Sequence, residues 1–73
     1  MDINKQKELE NLGRRIRQLR EQKDWSQREM ASRCNIDSAS IGKMERGELD
    51  IRYTTLLQLA LVLEVTPAEL LNS

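Results

Sequence analysis

The chain has 73 residues, of which 38% are hydrophobic and 33% are charged, a composition typical of one small folded domain. Twelve basic and twelve acidic residues give a formal net charge of zero, whereas a nucleic-acid-binding protein is usually more basic. A single cysteine, Cys34, and the lack of histidine exclude an internal disulfide and a zinc site, and no apolar run approaches the roughly 20 residues that span a bilayer.

The charges are distributed unevenly along the chain. Residues 1–36 carry nine Lys/Arg and six Asp/Glu, a balance of +3, whereas residues 37–73 carry three and six, a balance of −3. The N-terminal half is therefore predicted to present a basic face. The N-terminus lacks the apolar segment of a signal peptide, and a lone thiol suits a reducing compartment, so we expect a cytoplasmic protein.

An apolar stripe at intervals of three and four residues predicts a first helix from about Lys7 to Lys23. The stripe consists of Leu9, Leu12, Ile16 and Leu19. Residues 1–6 precede this helix, and we expect them to form a flexible N-terminus.

Capping signals predict two short helices next. The S-x-x-E pattern that starts at Ser26 is a capping box and predicts a second helix from about Gln27 to Cys34. Either Asp37 or the residue after it caps a third helix, which runs from Ser38 to about Arg46. Gly47 ends this third helix, because glycine readily adopts the backbone conformation of a helix stop.

Two more helices complete the chain. The fourth is predicted from about Arg52 to Leu63, and its inner face consists of Leu56, Leu59, Ala60 and Leu63. The fifth runs from Pro67 to Leu71, because proline is favoured at the first position of a helix and Thr66 precedes it as a cap. Strand signals are absent, so we expect a single all-α domain of five helices over residues 1–73.

The second and third helices have the dimensions of a helix-turn-helix, namely two helices of about eight residues joined by a tight turn. Length alone would fit many small helical domains. Three sequence elements at fixed mutual spacing make the pattern more specific: S-Q-x-x-x-A from Ser26, I-x-x-x-E-R-G from Ile41, and L-x-x-L-A-x-x-L-x-V from Leu56.

These elements strongly resemble the XRE-like family of lambdoid phage repressors, Cro proteins and bacterial regulators, and the resemblance runs without gaps from about Ile16 to Leu71. It implies a lambda-repressor-like fold and a transcriptional regulator that binds double-stranded DNA at the nucleoid of a bacterium or as a phage protein. In size the chain is similar to the stand-alone controller proteins of restriction–modification systems, and Cro-like repressors fit almost as well. No cofactor and no small-molecule ligand are expected.

The resemblance places the third helix in the major groove of DNA. Four residues on its outward face are then candidates for contacts with base edges: Ser38, Ala39, Gly42 and Lys43. A serine hydroxyl bonds several bases, an alanine methyl contacts thymine, and a lysine reaches guanine or a phosphate. The alternative is plain solvent exposure, in which case the shape of the DNA would supply much of the specificity.

Gln27 is a candidate phosphate ligand, because helix N-termini favour anions and the family repeats Gln at this position. An ordinary exposed first-turn residue is the alternative. Further candidates for phosphate contacts are Ser40, Arg46, Arg17, Arg52 and Tyr53. Glu48 and Asp50 depart from the family, whose loop is commonly basic or neutral there, and two acids beside phosphates would repel DNA.

Two further expectations concern contacts between helices. The resemblance implies a partly buried ion pair between Arg20 and Glu45 that ties the first helix to the third. An outer apolar set predicts a twofold homodimer, with two recognition helices ~34 Å apart on a palindromic operator. This set consists of Leu57, Leu61 and Leu71. Alternatively, the last helix or the N-terminal residues Ile3 and Leu9 cover these leucines.

Two other classes of function make different demands on the residues. An enzyme needs a nucleophile with a base or a phosphate-binding loop, and the composition supplies neither. An antitoxin or adaptor module whose main partner is another protein is the more serious alternative, because the same fold serves that role and the net charge is zero. The distinguishing feature is whether four residues form one positive surface: Gln27, Ser40, Lys43 and Arg46.

Overall fold

The computed structural model describes residues 3–71, and this part of the chain consists of five α-helices joined by short turns and loops. The helices are α1 (Lys5–Gln22), α2 (Gln27–Cys34), α3 (Ser38–Glu45), α4 (Tyr53–Leu63) and α5 (Pro67–Leu71). The predicted all-α fold of five helices is confirmed, and the bounds of α2 and α5 are those that the sequence predicted.

The first helix begins earlier than its apolar stripe predicted. The side-chain oxygen of Asn4 accepts a hydrogen bond from the backbone N–H of Lys7 at 3.1 Å and caps the helix at Lys5. Residues 5 and 6, which the sequence places in a flexible N-terminus, lie in the first turn of α1. Residues 1 and 2 lie outside the described part of the chain.

Local hydrogen bonds define the two helices of the helix-turn-helix. The hydroxyl of Ser26 accepts from the backbone N–H of Glu29 at 3.0 Å, and a carboxylate oxygen of Asp37 accepts from that of Ser40 at 2.8 Å. Between the two helices, Asn35 has a left-handed backbone with φ of 56°. The chain can therefore leave α2 and begin α3 within a few residues.

The loop between α3 and α4 begins at a glycine that the packing requires. Gly47 has φ of 74°, and a Cβ atom there would lie 2.8 Å from Cγ of Glu10 on α1. Arg46 and Arg52, predicted as helical residues, are instead the caps on either side of this loop.

The core lies where the five helices meet. Helix α1 packs against α3 and α5, α2 packs against α3 and α4, and α4 packs against α5. The buried apolar residues are Ile16, Leu19, Met30, Ala31, Cys34, Ile41, Met44, Leu56, Leu59, Ala60, Leu63 and Leu70. Burial raises the pKa of the Cys34 thiol. Among the residues described, none of the helices has the length and apolar content that a membrane crossing requires.

Gly13 brings α1 close to the end of α3. A Cβ atom at Gly13 would lie 2.4 Å from the carbonyl oxygen of Met44 and 2.6 Å from that of Glu45. Both are backbone atoms of the last turn of α3, so a side chain at this position would separate the two helices. The missing side chain therefore allows α1 to hold α3 in place beneath its exposed face.

Candidate nucleic-acid interface

A buried ion pair joins the three segments that meet beside the helix-turn-helix. The guanidinium of Arg20 binds the carboxylate of Glu45 twice, Nε to Oε2 at 2.6 Å and Nη2 to Oε1 at 3.1 Å. Its third nitrogen, Nη1, donates to the carbonyl of Trp25 at 2.7 Å, just before α2. The two side chains are 11% and 4% exposed, and the hydrogen bond to Glu45 raises the pKa of Arg20. One arginine thus fixes α1, the start of α2 and the end of α3 relative to one another.

Gln27, at the N-terminus of α2, is half-buried and is held by the same carboxylate. Its Nε2 donates to Oε1 of Glu45 at 3.1 Å, the oxygen that also accepts from Arg20. This bond uses one amide hydrogen and fixes the orientation of the carboxamide. Gln27 is therefore part of an organised cluster, and it differs from the freely exposed first-turn residue of the alternative interpretation.

Gly42 is buried, which contradicts the prediction that it faces the DNA bases. A Cβ atom at this position would lie 3.1 Å from Nη1 of Arg46 and 3.5 Å from Oε1 of Gln27. The side chains of these two residues therefore lie across α3 and cover the glycine. The lack of a side chain at Gly42 therefore leaves space for two candidate phosphate ligands.

The exposed face of α3 is small and chemically simple. Ser38, Ala39 and Lys43 are exposed there and offer one hydroxyl, one methyl and one cation. Ser40 is half-buried, and its hydroxyl donates to Oδ2 of Asp37 at 3.0 Å, so it reinforces the helix cap. Hydrogen bonds from the backbone and the hydroxyl of Ser40 hold the pKa of Asp37 below its ordinary value.

Two of the arginines predicted to contact phosphates are held in exposed ion pairs. Nε of Arg46 lies 3.1 Å from Oε2 of Glu48, and Nε of Arg17 lies 3.2 Å from Oε2 of Glu21. Arg17 is thus bound within its own helix, where i,i+4 pairs of opposite charge are common. A phosphate could bind the Nε edge of either guanidinium only by replacing this carboxylate.

The acids of the loop between α3 and α4 are neutralised by neighbouring cations. Glu48 is paired with Arg46, and Asp50 lies 3.1 Å from Nζ of Lys5 at the start of α1. Nε2 of Gln6 also donates to the carbonyl of Gly47 at 3.1 Å. The first turn of α1 therefore holds the loop and offsets one of the two charges that would repel DNA.

Arg28 is a candidate that the sequence reasoning missed. It is exposed in the first turn of α2, next to Gln27. Within residues 3–71, Arg28, Lys43 and Arg52 form no salt bridge. Tyr53, beside Arg52, is exposed as well. A cation at a helix N-terminus is unfavourable, because it opposes the helix dipole. A basic residue in the first turn of α2 was therefore the sequence feature that could have indicated a functional role for Arg28.

A second exposed surface is apolar. Leu61 on α4 and Leu71 on α5 are 78% and 58% exposed. Leu57 was expected to be exposed with them, but it is half-buried. Ile3, one of the residues proposed to cover this set, is itself 73% exposed.

Comparison with known proteins places this geometry in a family. A family profile described as a helix-turn-helix domain matches residues 11–72. The solved structure of the restriction-modification controller protein C.AhdI from Aeromonas hydrophila is 35% identical over 85% of this chain and 94% of that chain, with a TM-score of 0.82.

Two more solved structures are similar over most of this chain. The hypothetical transcription factor NHTF from Neisseria is 29% identical over 93% of this chain and 76% of that chain, with a TM-score of 0.85. The clp gene regulator ClgR from Corynebacterium glutamicum is 25% identical over 86% of this chain and 67% of that chain, with a TM-score of 0.82. None of the curated proteins matches the sequence significantly. The chain belongs to the helix-turn-helix domain family, and the predicted XRE-like membership is confirmed.

Proposed function

We propose that this chain is a transcriptional regulator that binds double-stranded DNA sequence-specifically, as a homodimer on a palindromic operator, with α3 in the major groove. The observation that carries the proposal is the exposed face of α3, held rigidly by the buried pair of Arg20 and Glu45. The controller protein and the two regulators that are similar to this chain support the same class of function.

Base recognition in this proposal relies on three side chains of α3. Lys43 is long enough to reach guanine O6 and N7, Ser38 can exchange hydrogen bonds with several bases, and Ala39 can contact a thymine methyl. None of these contacts is bidentate in the way of arginine on guanine. Sequence-dependent shape and deformability of the DNA therefore contribute a large share of the specificity.

Phosphate contacts in this proposal surround the recognition face. Gln27 and Arg28 lie at the N-terminus of α2, where free backbone N–H groups and the helix dipole favour an anion. Arg46 follows α3 directly, and Arg52 with Tyr53 begins α4. Each phosphate that a cation neutralises releases counterions, so binding is expected to weaken steeply with added salt.

Dimerisation in this proposal uses the exposed leucines of α4 and α5. Leu61 and Leu71 are the apolar side chains there that a second copy would remove from water. A twofold dimer places two α3 helices about one turn of DNA apart, ~34 Å, and requires a site with inverted symmetry.

The test is selection of bound duplexes from a random pool, followed by the same selection with Lys43→Gln and Arg33→Gln. We expect an inverted repeat whose half-sites are centred about 10 base pairs apart. Lys43→Gln should change the preferred base at one position of each half-site, whereas Arg33→Gln should leave the repeat unchanged. A single, unrepeated half-site would contradict the dimer, and no enrichment at low salt would contradict DNA binding.

One observation favours the alternative of a protein-binding module. Six of the basic side chains in residues 3–71 are held in salt bridges, Arg46 and Arg17 among them. An antitoxin or adaptor needs no free cation on α2 and α3, and it would show no salt-dependent shift of DNA fragments.

A further inference from the structure

The guanidinium of Arg46 is confined on two sides. Its Nε lies 3.1 Å from Oε2 of Glu48, and the two side chains are 57% and 54% exposed. On the other side, Nη1 lies 3.1 Å from the place where Gly42 would carry a Cβ atom. The side chain therefore lies back over α3, with its Nε edge already bound to a carboxylate.

We propose that Glu48 sets the DNA affinity of this protein by competing with a backbone phosphate for Arg46. The inference rests on the proposed function, because it requires Arg46 to contact DNA. Carboxylate and phosphate oxygens are both good acceptors for a guanidinium, so the two anions compete for the Nε edge of Arg46. When the phosphate replaces Glu48, the displaced carboxylate remains close to the DNA backbone and repels it.

The size of the effect follows from the exposure of the pair. Ion pairs between side chains this exposed are weak. Removing the competing carboxylate is therefore expected to tighten DNA binding by about two- to fivefold. A phosphate contact carries no sequence information. Glu48 should therefore weaken binding to operator and unrelated duplexes by the same factor and leave their ratio unchanged.

Asp50 provides a matched control in the same loop. It is an exposed acid whose partner is Lys5, 3.1 Å away, and Lys5 is not among the candidate DNA ligands. Asp50→Asn removes the same charge as Glu48→Gln from the same loop but does not release Arg46. The comparison separates competition for one arginine from general repulsion by the loop.

The experiment measures affinity by fluorescence anisotropy on two duplexes, the selected operator and an unrelated sequence, over a range of KCl concentrations. Glu48→Gln and Asp50→Asn are compared with the parent chain, and each is also made together with Arg46→Gln. We expect Glu48→Gln to bind both duplexes about two- to fivefold more tightly, with a gain that shrinks as salt rises. In the Arg46→Gln background, Glu48→Gln should raise the affinity by no more than Asp50→Asn does. Thermal unfolding of the two single variants controls for any effect on folding.

Three results would overturn the inference. One is a gain from Glu48→Gln that is as large in the Arg46→Gln background as in the parent chain, the second is a gain in the parent chain equal to that of Asp50→Asn, and the third is no gain at all. In each of these cases the parent chain still binds DNA, and the proposed function stands. Absence of binding by the parent chain at low salt would instead overturn the proposed function, and the inference with it.

Discussion

At the residue scale, Glu45 connects the stability of the fold with the candidate interface. Its carboxylate is almost fully buried, and it accepts two hydrogen bonds from Arg20 and one from Gln27. A buried charge is tolerated only when its partners are in place. The same carboxylate therefore joins α1 to α3 and orients the side-chain amide of Gln27 at the N-terminus of α2.

Glu45→Ala is expected to lower the free energy of unfolding by about 3 kcal/mol or more, because it leaves the charge of Arg20 without its carboxylate in a mostly buried position. Urea denaturation measures the loss. The control is Glu21→Gln, which breaks the exposed pair with Arg17 and should change stability by less than about 0.5 kcal/mol. Equal stabilities for the two variants would show that the buried pair contributes no more than the exposed one.

The hydrogen bonds and burial of individual residues can be predicted from the sequence only where they depend on a single helix. The caps at Ser26 and Asp37 depend on neighbours three residues away, and the sequence contains both partners of each bond. Considered alone, the sequence of α3 places Gly42 on the outward face. Its burial depends on Gln27 and Arg46, which reach over it from α2 and from the end of α3, and a helical wheel cannot show this.

At the scale of elements, helix existence followed from the sequence better than helix ends. Apolar spacing and capping patterns located all five helices of residues 3–71. Helix α1 begins before its apolar stripe, because Asn4 caps it at Lys5. The contact of α1 with α3 at Gly13 was missed, because close approach between helices distant in sequence leaves no local pattern.

Gly13 and Gly42 form a matched pair of glycines in helix interiors. Alanine at Gly13 would meet backbone oxygens at 2.4 and 2.6 Å, and such overpacking costs about 1–3 kcal/mol, more than the gain of about 1 kcal/mol in helix propensity. Alanine at Gly42 would meet the flexible end of Arg46 at 3.1 Å, which can move, and Oε1 of Gln27 at 3.5 Å, an ordinary contact distance.

Gly13→Ala should therefore lower the free energy of unfolding, whereas Gly42→Ala should leave it unchanged or raise it by up to about 1 kcal/mol. Urea denaturation of both variants measures the difference. A Gly13→Ala variant as stable as Gly42→Ala would contradict the close packing of α1 on α3.

Substitutions at the two ends of α2 are expected to have opposite effects on stability and different effects on DNA binding. Arg28→Gln removes a cation that opposes the helix dipole, so stability should stay the same or rise by a few tenths of a kcal/mol. DNA affinity should fall, and the salt dependence of log K should decrease by about one unit of slope.

The control is Arg33→Gln at the C-terminal end of the same helix. Arg33 is paired with Glu29 at 3.0 Å and lies 4.4 Å from the ring centre of Trp25, so its loss should lower stability slightly and leave DNA binding intact. Thermal unfolding and anisotropy titrations measure both properties. An Arg28→Gln variant that binds DNA as tightly as the parent chain would show that Arg28 does not contact the DNA.

At the scale of the whole molecule, this chain of zero net charge has two exposed surfaces of different chemistry. One consists of the exposed residues of α2 and α3 with their unpaired cations, and the other contains the exposed leucines of α4 and α5. In the loop after α3, the acids Glu48 and Asp50 are paired with Arg46 and Lys5, so their charges are offset locally. A low net charge also limits binding to unrelated DNA, which is mostly electrostatic.

If the proposed homodimer forms, Leu61→Glu is expected to convert it to a monomer without loss of monomer stability, because Leu61 is 78% exposed in the single chain. Sedimentation equilibrium measures the association. Ile3→Glu is the matched control, since Ile3 is 73% exposed but lies outside the proposed contact. Equal association of the two variants, or a parent chain that is monomeric at high concentration, would contradict this contact.

Binding of duplex DNA by the exposed parts of α2 and α3 can be tested by NMR of the isotope-labelled chain. The selected duplex is added at low salt, and the shifts of backbone and side-chain resonances are mapped on the structure. We expect added salt to reverse the shifts, and we expect the largest shifts at the exposed and half-buried residues of α2 and α3 and at the end of α3: Gln27, Arg28, Ser38, Ala39, Lys43 and Arg46. Shifts confined to the surface around Leu61 and Leu71, or no shifts at low salt, would contradict DNA binding by α2 and α3.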